Sequence, residues 1–372
     1  MNRGLAPADV VVAGGGLAAV AVALELARRD LTVDLLAGGR AGTPSGPGGP
    51  VAAQANADGM PEAVADLALL SRHLFSDWIS ALEEETGLPC EYDERGAMAV
   101  ALDEPEEVAL DRALDAQRVR GLHFEVLEPE EARGREPALS ASLHAAFAFS
   151  RDGVARAGRV GRALALAARS AGVRVHEGVR ALGVAVAGGR VAGVETPIGT
   201  LPAEAVVLAE RGGSGRLSGA PPLLLVSAAR PWLKLDASAD PDRPVRLLLA
   251  RGAVLVPRRD GTILALGRPA PDDGAAALPA ARVAALLAEV ARLVPASGAW
   301  GVAGTGSSRE RSAPDRRPLL GETGTPGLFV AAGWGGDELL LAPAAAAVLA
   351  DLVTGRTPPL AASPYAPERG GT

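Results

Sequence analysis

Residues 9–38 of this chain are DVVVAGGGLAAVAVALELARRDLTVDLLAG, and this stretch decides the predicted fold. A β-branched run at residues 10–12 precedes a glycine turn, helix formers follow at residues 17–29, and a second apolar run occupies residues 31–36. This order predicts a strand, a turn, a helix and a second strand within about 30 residues, which is the length of a βαβ unit.

The glycine turn fits the spacing G-x-G-x-x-G/A through Gly14, Gly15, Gly16 and Ala19. The first glycine allows the tight turn, Gly16 lets a pyrophosphate approach the backbone, and Ala19 is small enough for close helix–strand packing. The helix N-terminus would then point at the anion. We therefore predict a dinucleotide site at these four residues, with a purely structural turn as the alternative.

The acidic residue that should contact a ribose, about 20 residues after such a turn, is missing. Ala37 stands at the end of the second strand, and Asp34 inside that strand is the nearest substitute. Arg40 follows the strand and is a candidate phosphate contact, with a solvated surface arginine as the alternative.

The segment at residues 38–59 is dense in Gly, Pro and Ser. Backbone N–H groups exposed by glycine can form an anion-binding nest. Ser45 and Gly46 are therefore candidates for a second loop that contacts the cofactor, and a plain surface loop is the alternative.

The composition is that of a globular protein with room for two domains, since 48% of its 372 residues are apolar and 22% are charged. The net charge of −7, without a basic block, argues against binding to nucleic acid or to an anionic membrane. No apolar run reaches the ~20 residues needed to span a bilayer.

Cys90 is the only cysteine, so no internal disulfide can form and we expect a cytoplasmic protein. None of the four histidines has metal-ligand spacing to another, so no metal is expected. Cys90 has no basic neighbour in sequence, which argues against a catalytic thiol.

The remaining pattern predicts helices alternating with strands, then a strand-rich middle at residues 223–266, then a final glycine loop and helix. This order predicts an α/β fold in which one domain is assembled from separated segments around a second, inserted domain. The first domain is expected at residues 1–65, 150–220 and 309–372, and the second at 66–149 and 221–308. Helices are predicted at residues 62–86, 104–121, 129–135, 158–171, 279–294 and 340–352.

Several segments together resemble the D-amino-acid oxidase superfamily of FAD-dependent oxidoreductases, and within it the glycine oxidase branch. The most specific are APDRRPLLG at residues 313–321 and PGLFVAAGWGGDELLLAPAAAAVLADLVTG at residues 326–355. Supporting segments are the opening glycine turn and residues 66–89, 152–164, 205–217 and 253–267.

This resemblance implies a three-layer ββα Rossmann-like domain that binds FAD, and a substrate domain with a mixed, mainly antiparallel sheet over the isoalloxazine. It implies oxidation of the C–N bond of a small amino acid or amine by hydride transfer to the flavin. The family requires no protein base, so the absence of an obvious one does not argue against activity.

The resemblance also implies roles for particular positions. Val175 would offer a backbone contact to the adenine, and Gly333, Gly335 and Gly336 would lie near the pyrimidine end of the flavin. Trp334 takes the position of the family's histidine near the substrate, with a core position as the alternative.

Several positions depart from the family pattern. The family's carboxylate-binding arginine falls on Glu310, which would repel a substrate carboxylate unless a one-residue slip brings Arg309 or Arg311 into its place. Other departures are Ala37 for the ribose acid, Arg211 for a glycine, Val254 for a tyrosine, Gly336 for a second arginine and Glu338 for the final glycine of the last loop.

Two functions follow from these departures, and both stay open here. The chain is either an oxidoreductase with altered substrate preference, or a family member that keeps the fold while binding FAD weakly and acting as a subunit or binding protein. A homo-oligomer or a partner subunit is compatible with either hypothesis.

Overall fold

The computed structural model describes residues 6–56, 60–209, 217–274 and 277–370. The described residues form two large sheets and one small strand pair, with helices on the outer faces. The helices are α1 (Leu17–Ala27), α2 (Glu62–Thr86), α3 (Glu104–Val119), α4 (Pro129–Arg135), α5 (Ala157–Ser170), α6 (Ala280–Leu293) and α7 (Glu338–Val353).

Strands of the first half of the chain alternate with most of these helices. They are β1 (Ala8–Ala13), β2 (Val33–Leu36), β3 (Pro50–Val51), β4 (Ala97–Ala101), β5 (Glu125–Leu127), β6 (Ala145–Phe149), β7 (Gly153–Val154), β8 (Arg174–His176), β9 (Gly183–Ala187), β10 (Arg190–Thr196) and β11 (Gly199–Leu208).

Strands of the second half are longer and mostly antiparallel. They are β12 (Val226–Asp236), β13 (Leu247–Leu249), β14 (Ala253–Pro257), β15 (Thr262–Gly267), β16 (Ala270–Pro271), β17 (Gly301–Ser312), β18 (Leu319–Glu322), β19 (Leu328–Ala332) and β20 (Trp334–Gly335).

The first sheet has the strand order β18-β19-β11-β1-β2-β8, and its central strands are parallel. Helices α1, α2, α5 and α7 pack on one face, and the β9–β10 hairpin, which continues into β11, contributes to the core of the other face. This is the three-layer ββα arrangement that the resemblance implied, so the predicted fold class is confirmed.

The second sheet has the order β20-β17-β12-β15-β14-β13-β4-β6-β5, with β16 beside β12. Among its pairs only β13 with β4 is parallel. Helix α6 packs on one face, and the opposite face carries Leu249, Val256 and Leu266, which share a core cluster with Ala52 and Val154. The mixed, mainly antiparallel sheet of the prediction is therefore present.

Helix α2 packs against α5 and α7 in the core of the first sheet. It ends where it was predicted to end because Gly87 takes a left-handed conformation, with φ at 67°. The division of the chain into domains stays a prediction, and this packing favours a first boundary after α2 rather than at residue 65.

The strand-rich prediction for residues 223–266 needs one correction. Strands β12 to β15 all lie there, but residues 237–246 form a loop between β12 and β13. Pro241 and Pro244 lie in this loop, and proline cannot donate the backbone hydrogen bond that a strand interior requires.

Candidate active site

The glycine turn joins β1 to α1 and makes close backbone contacts with the chain just after β11 and β2. A Cβ atom built on Gly14 would lie 2.2 Å from the carbonyl oxygen of Ala209, and one on Gly15 would lie 2.5 Å from that of Ala37. Gly16 is the extended N-cap residue of α1 and makes no side-chain cap, while Ala19 is buried in the helix. The first turn of α1 thus presents backbone N–H groups at the end of β1.

Asp34 is 1% exposed and its carboxylate is engaged within the sheet. Arg174 on β8 donates to both of its oxygens, at 2.9 and 2.7 Å, and the Nε2 atom of His176 lies 2.7 Å from Oδ1. These bonds tie β2 to β8, so the geometry gives Asp34 a structural role and does not support the predicted ribose contact.

The other residues predicted around this strand end have different surroundings. Arg40 is exposed, and Val175 pairs with Leu35 between β2 and β8 while packing against the first core. Glu210 and Arg211 lie outside the described residues.

The glycine-rich loop after β2 lies along α5. A Cβ atom on Gly161 of α5 would lie 1.8 Å from the carbonyl oxygen of Gly42, so the loop and the helix are in backbone contact. Arg258 at the end of β14 donates to the carbonyl groups of Pro47 and Gly48. Removal from water lowers the pKa of Arg258 to about 10.

A cleft lies between the two sheets where this loop, α1 and α7 meet the inner face of the second sheet. It encloses about 730 Å³, including space open to solvent. Its apolar wall comes from Leu249, Val254 and Leu266, and the loop side includes the predicted residues Ser45 and Gly46. Its charged side chains are Arg230, Glu310, Asp337 and Glu338.

Glu310 faces the cleft because β17 pairs with β12 in a register that places Glu310 opposite Ala228 and Ser308 opposite Arg230. Glu310 and Arg230 are therefore diagonal neighbours on one face. Arg230 donates through Nε to Oε1 at 2.5 Å and through Nη2 to Oε2 at 3.3 Å. The carboxylate bound to the Arg230 guanidinium is therefore that of Glu310 and not that of a substrate.

Arg309 and Arg311 take no part in the ion pair of Glu310. Side chains alternate along a strand, so both point away from the face of β17 that carries Glu310. Arg309 pairs with Asp272 at 3.0 Å, and both arginines line a smaller cavity beside the cleft, together with the predicted residue Ser45. The geometry does not bring these two predicted substrate residues together with Arg230.

The final glycine loop connects β19 to α7. Gly333 and Gly335 adopt left-handed conformations, with φ at 78° and 58°, and line the smaller cavity, whereas Gly336 lines the cleft. Trp334 is buried, pairs with Ser312 and packs in the first core. Trp334 also lines the smaller cavity, so its place near the substrate stays a prediction beside the core alternative.

Asp337 is the N-cap residue of α7 and lies on the wall of the cleft. Asn56 donates to its Oδ1 at 3.4 Å. The pKa of Asp337 is raised to about 6, chiefly by removal from water; the Arg230 charge opposes this rise, the Glu310 charge adds to it, and the Arg316 charge opposes it.

Glu338, the first residue of α7, places its carboxylate at the N-terminus of α1. The side chain is 3% exposed, and Oε1 accepts from the backbone N–H of Ala18 at 3.4 Å. Oε2 is buried without a hydrogen-bond partner among the described residues. A carboxylate therefore lies where the glycine turn was predicted to receive a phosphate.

Asp152 fixes the segment that leads to Asn56. Its buried carboxylate accepts from the backbone N–H groups of Ala53, Gln54 and Ala55, and Arg72 donates to it at 3.1 Å. Buried hydrogen bonds to Asp152, and not solvent-exposed contacts, thus fix the wall of the cleft around Asn56.

Sequence reasoning did not nominate Arg230, Asn56 or Asp337 for the site. Arg230 carries a weak signal, since it is the only charged residue among 226–233 at the start of β12. Glu310 and Glu338 were noticed as departures, but their contacts depend on strand register and helix packing that no local pattern reveals.

Other features give no additional site. Cys90 is buried, and removal from water raises the pKa of its thiol to about 12. No cluster of potential metal ligands occurs in the parts of the chain that the structure describes. Within the same ranges, no helix has the length and apolar character required to cross a membrane.

Comparison with known proteins agrees with this architecture. The family model described as DAO, FAD dependent oxidoreductase, matches residues 9–352. The chain belongs to this family. The resemblance inferred from sequence is therefore confirmed, and FAD is the cofactor of the family.

The DAO family relatives include several amino acid oxidases. Glycine oxidase of Pseudomonas aeruginosa is 31% identical and covers 96% of this chain and 98% of its own. The crystal structure of glycine oxidase from Geobacillus kaustophilus has a TM-score of 0.90 at 28% identity, covering 98% of this chain and 99% of the other.

The bifunctional protein ThiO/ThiG of Synechocystis is 28% identical over 93% of this chain. The match covers 51% of that protein, and 52% of the corresponding Nostoc protein. The chain thus spans about half the length of these bifunctional DAO family relatives.

The backbone fits the FAD of the family better than the side chains do. The close contacts of Gly14 and Gly15, the N-cap residue Gly16 without a side chain and the open cleft suit a dinucleotide with a ring between the sheets. Ala37 offers no ribose carboxylate, and the Glu338 carboxylate lies at the N-terminus of α1, where the glycine turn was predicted to receive a phosphate.

Proposed function

We propose that this protein catalyses the FAD-dependent oxidation of the C–N bond of a small amine or amino acid. The observation that carries the proposal is the cleft between the two sheets, where Leu17 at the start of α1 and the N-terminus of α7 lie opposite the apolar wall of the second sheet. Bound FAD supplies the hydride acceptor for such a reaction.

The backbone of the chain would hold the cofactor. In this proposal Gly14 to Gly16 and the first turn of α1 contact the pyrophosphate, and Ser45 and Gly46 contact the ring. Gly336 lines the same cleft at the start of α7. The partial positive charge of that helix end favours negative charge at the neighbouring end of the ring.

Side chains of the second sheet would surround the substrate. Val254 and Leu266 form an apolar wall that excludes water from the reacting carbon. Arg230 is bound to Glu310, so a substrate carboxylate has to displace Glu310 or forgo a two-point arginine contact. This arrangement supports small amines, or amino acids held weakly, as substrates.

In this proposal Asp337, on the wall of the cleft, accepts a proton from the substrate. An ammonium group must lose a proton before its carbon can release a hydride, and a carboxylate on the wall of the cleft can accept it. A pKa of about 6 lets Asp337 be ionised at neutral pH while remaining a useful base.

The test uses the full chain dialysed against FAD and freed of excess cofactor. We expect stoichiometric flavin, and peroxide release or dye reduction with at least one member of a panel of glycine, N-methylglycine, proline and primary amines. A protein that retains flavin but turns over no member of the panel contradicts the proposal.

A second candidate function is a non-catalytic family member that binds FAD weakly and acts as a subunit or binding protein. The Glu338 carboxylate at α1 and the Arg230–Glu310 pair favour it, because both place protein charge where ligand charge would lie. Bound flavin that a specific amine reduces would exclude this candidate.

A further inference from the structure

Two helix N-termini converge on the Glu338 carboxylate. Glu338 is the first residue of α7, and its Oε1 lies 3.4 Å from the N–H of Ala18 in the first turn of α1. Each helix N-terminus carries a partial positive charge. Helix α1 has no acidic residue in its first turn and no side-chain cap, so Glu338 supplies the negative charge that α1 itself lacks.

The second carboxylate oxygen shows that this contact is incomplete. Oε2 is buried and has no hydrogen-bond partner among the described residues. Glu338 as a whole is only 3% exposed. A buried acceptor left unpaired is costly, and a well-matched anion would satisfy more of the N–H groups at the same place. The Glu338 side chain thus occupies the anion site at the N-terminus of α1 without satisfying all of the N–H groups there.

We propose that Glu338 is an internal competitor of the dinucleotide phosphate, so that FAD binds this chain only when the Glu338 side chain leaves the N-terminus of α1. The inference rests on the proposed function, because it concerns how the same site takes its cofactor. A carboxylate and a pyrophosphate cannot share this position, since their like charges repel each other in a site shielded from water.

The two cavities beside α7 give the Glu338 side chain a place to move to while the site stays folded. Glu338 lines both the main cleft and the smaller cavity beside it. Arg311 lines that smaller cavity. Rotation of the Glu338 side chain toward Arg311 would exchange one N–H contact for a guanidinium while the backbone of α7 stays in place.

The test measures FAD affinity rather than turnover. Apo-protein is titrated with FAD by quenching of flavin fluorescence, for the wild type and for Glu338→Gln and Glu338→Ala. Glu338→Gln keeps an oxygen for the N–H of Ala18 and removes only the charge. Glu84→Gln is the matched control, since Glu84 is exposed on α2 and loses the same charge.

We expect both Glu338 variants to bind FAD at least about tenfold more tightly than the wild type, while Glu84→Gln matches the wild type. Thermal unfolding with and without FAD gives a second readout, in which FAD stabilises Glu338→Gln more than it stabilises the wild type. If Glu338→Ala does not fold, the isosteric glutamine variant decides the outcome.

Failure of this inference differs from failure of the proposed function. Stoichiometric FAD binding by the wild type, with no gain in Glu338→Gln, overturns the competitor role and leaves the proposed function standing. Absence of FAD binding in the wild type and both variants overturns both.

Discussion

Arg230 and Glu310 form a two-point ion pair on the wall of the cleft, with contacts of 2.5 and 3.3 Å between neighbouring strands β12 and β17. The pair places a protein carboxylate where the family resemblance implied an arginine for the substrate. Specificity in this cleft therefore depends on whether a substrate competes with Glu310 for Arg230.

Replacing Glu310 by alanine should release Arg230 for a substrate carboxylate. Because a hydrogen bond to a charged group contributes about 1.5–3 kcal/mol, we expect the ratio of kcat/KM for glycine to that for methylamine to rise at least about tenfold. Arg309→Ala, on the other face of the same strand, should leave the ratio unchanged. Equal ratios in the wild type and Glu310→Ala would rule out this role for the pair.

Asp337 should make stability depend on pH. Its folded-state pKa of about 6 lies above the ordinary aspartate value of 3.8, so its stabilising contribution is complete below 3.8 and is lost as the pH rises through 6. Asp337→Asn should exceed the wild type by about 1–3 kcal/mol in free energy of unfolding near pH 8. Urea unfolding between about pH 4 and pH 8 measures this difference.

The groups that face Asp337 set the direction of this effect. Glu310 raises its pKa, while Arg230 and Arg316 lower it. A stability difference between wild type and Asp337→Asn that does not change with pH would show that Asp337 titrates normally in the folded protein.

Asp152 should be essential for the segment that carries Asn56. Asp152→Asn weakens three backbone contacts and leaves Arg72 without its carboxylate partner, so we expect a loss of about 3 kcal/mol or more in unfolding free energy. Asp115→Asn breaks an exposed ion pair with Arg118 and should cost less than about 1 kcal/mol. Similar losses in the two variants would contradict the anchoring role.

Two glycines of α5 offer a matched test of the loop–helix contact. Gly161→Ala places a methyl group against the backbone of Gly42 and should destabilise the protein by about 1–3 kcal/mol, as overpacking does elsewhere. Gly158→Ala meets no atom within 4 Å and should be neutral or stabilising by up to about 1 kcal/mol. Thermal unfolding distinguishes the two variants. Equal midpoints would show that the loop at Gly42 moves away from the added methyl group at no measurable cost in stability.

Cys90 should be unreactive in the folded protein. It is buried and its pKa of about 12 keeps the thiol protonated at neutral pH. A thiol reagent should modify it at the rate of unfolding in water and at once in denaturant. Rapid modification without denaturant would place Cys90 at an accessible site.

Local pattern predicted the fold well because its signals are short-range. The glycine turn, the apolar stripe that buries α2 and the left-handed Gly87 that ends it are all visible in consecutive residues. The loop at residues 237–246 departs from the predicted strands because the runs on both sides of it are strongly apolar and mask the two prolines that interrupt pairing.

The candidate site was harder to predict because its contacts join distant segments. Asp34 was the nearest substitute for a ribose acid in the sequence, and its pairing with Arg174 and His176 joins residues about 140 positions apart. The pairing of Glu310 with Arg230 likewise depends on the β12–β17 register, which joins residues 80 positions apart. Only the packing of α7 against α1 brings Glu338 to the first turn of α1.

C–N oxidation in this cleft is tested most directly by anaerobic mixing of the FAD-loaded protein with single amines and amino acids while the visible absorbance of the flavin is recorded. We expect that at least one small amine or amino acid bleaches the bound flavin completely, and that the absorbance returns with an electron acceptor. Flavin that stays oxidised with the entire panel would contradict C–N oxidation as the function of this cleft.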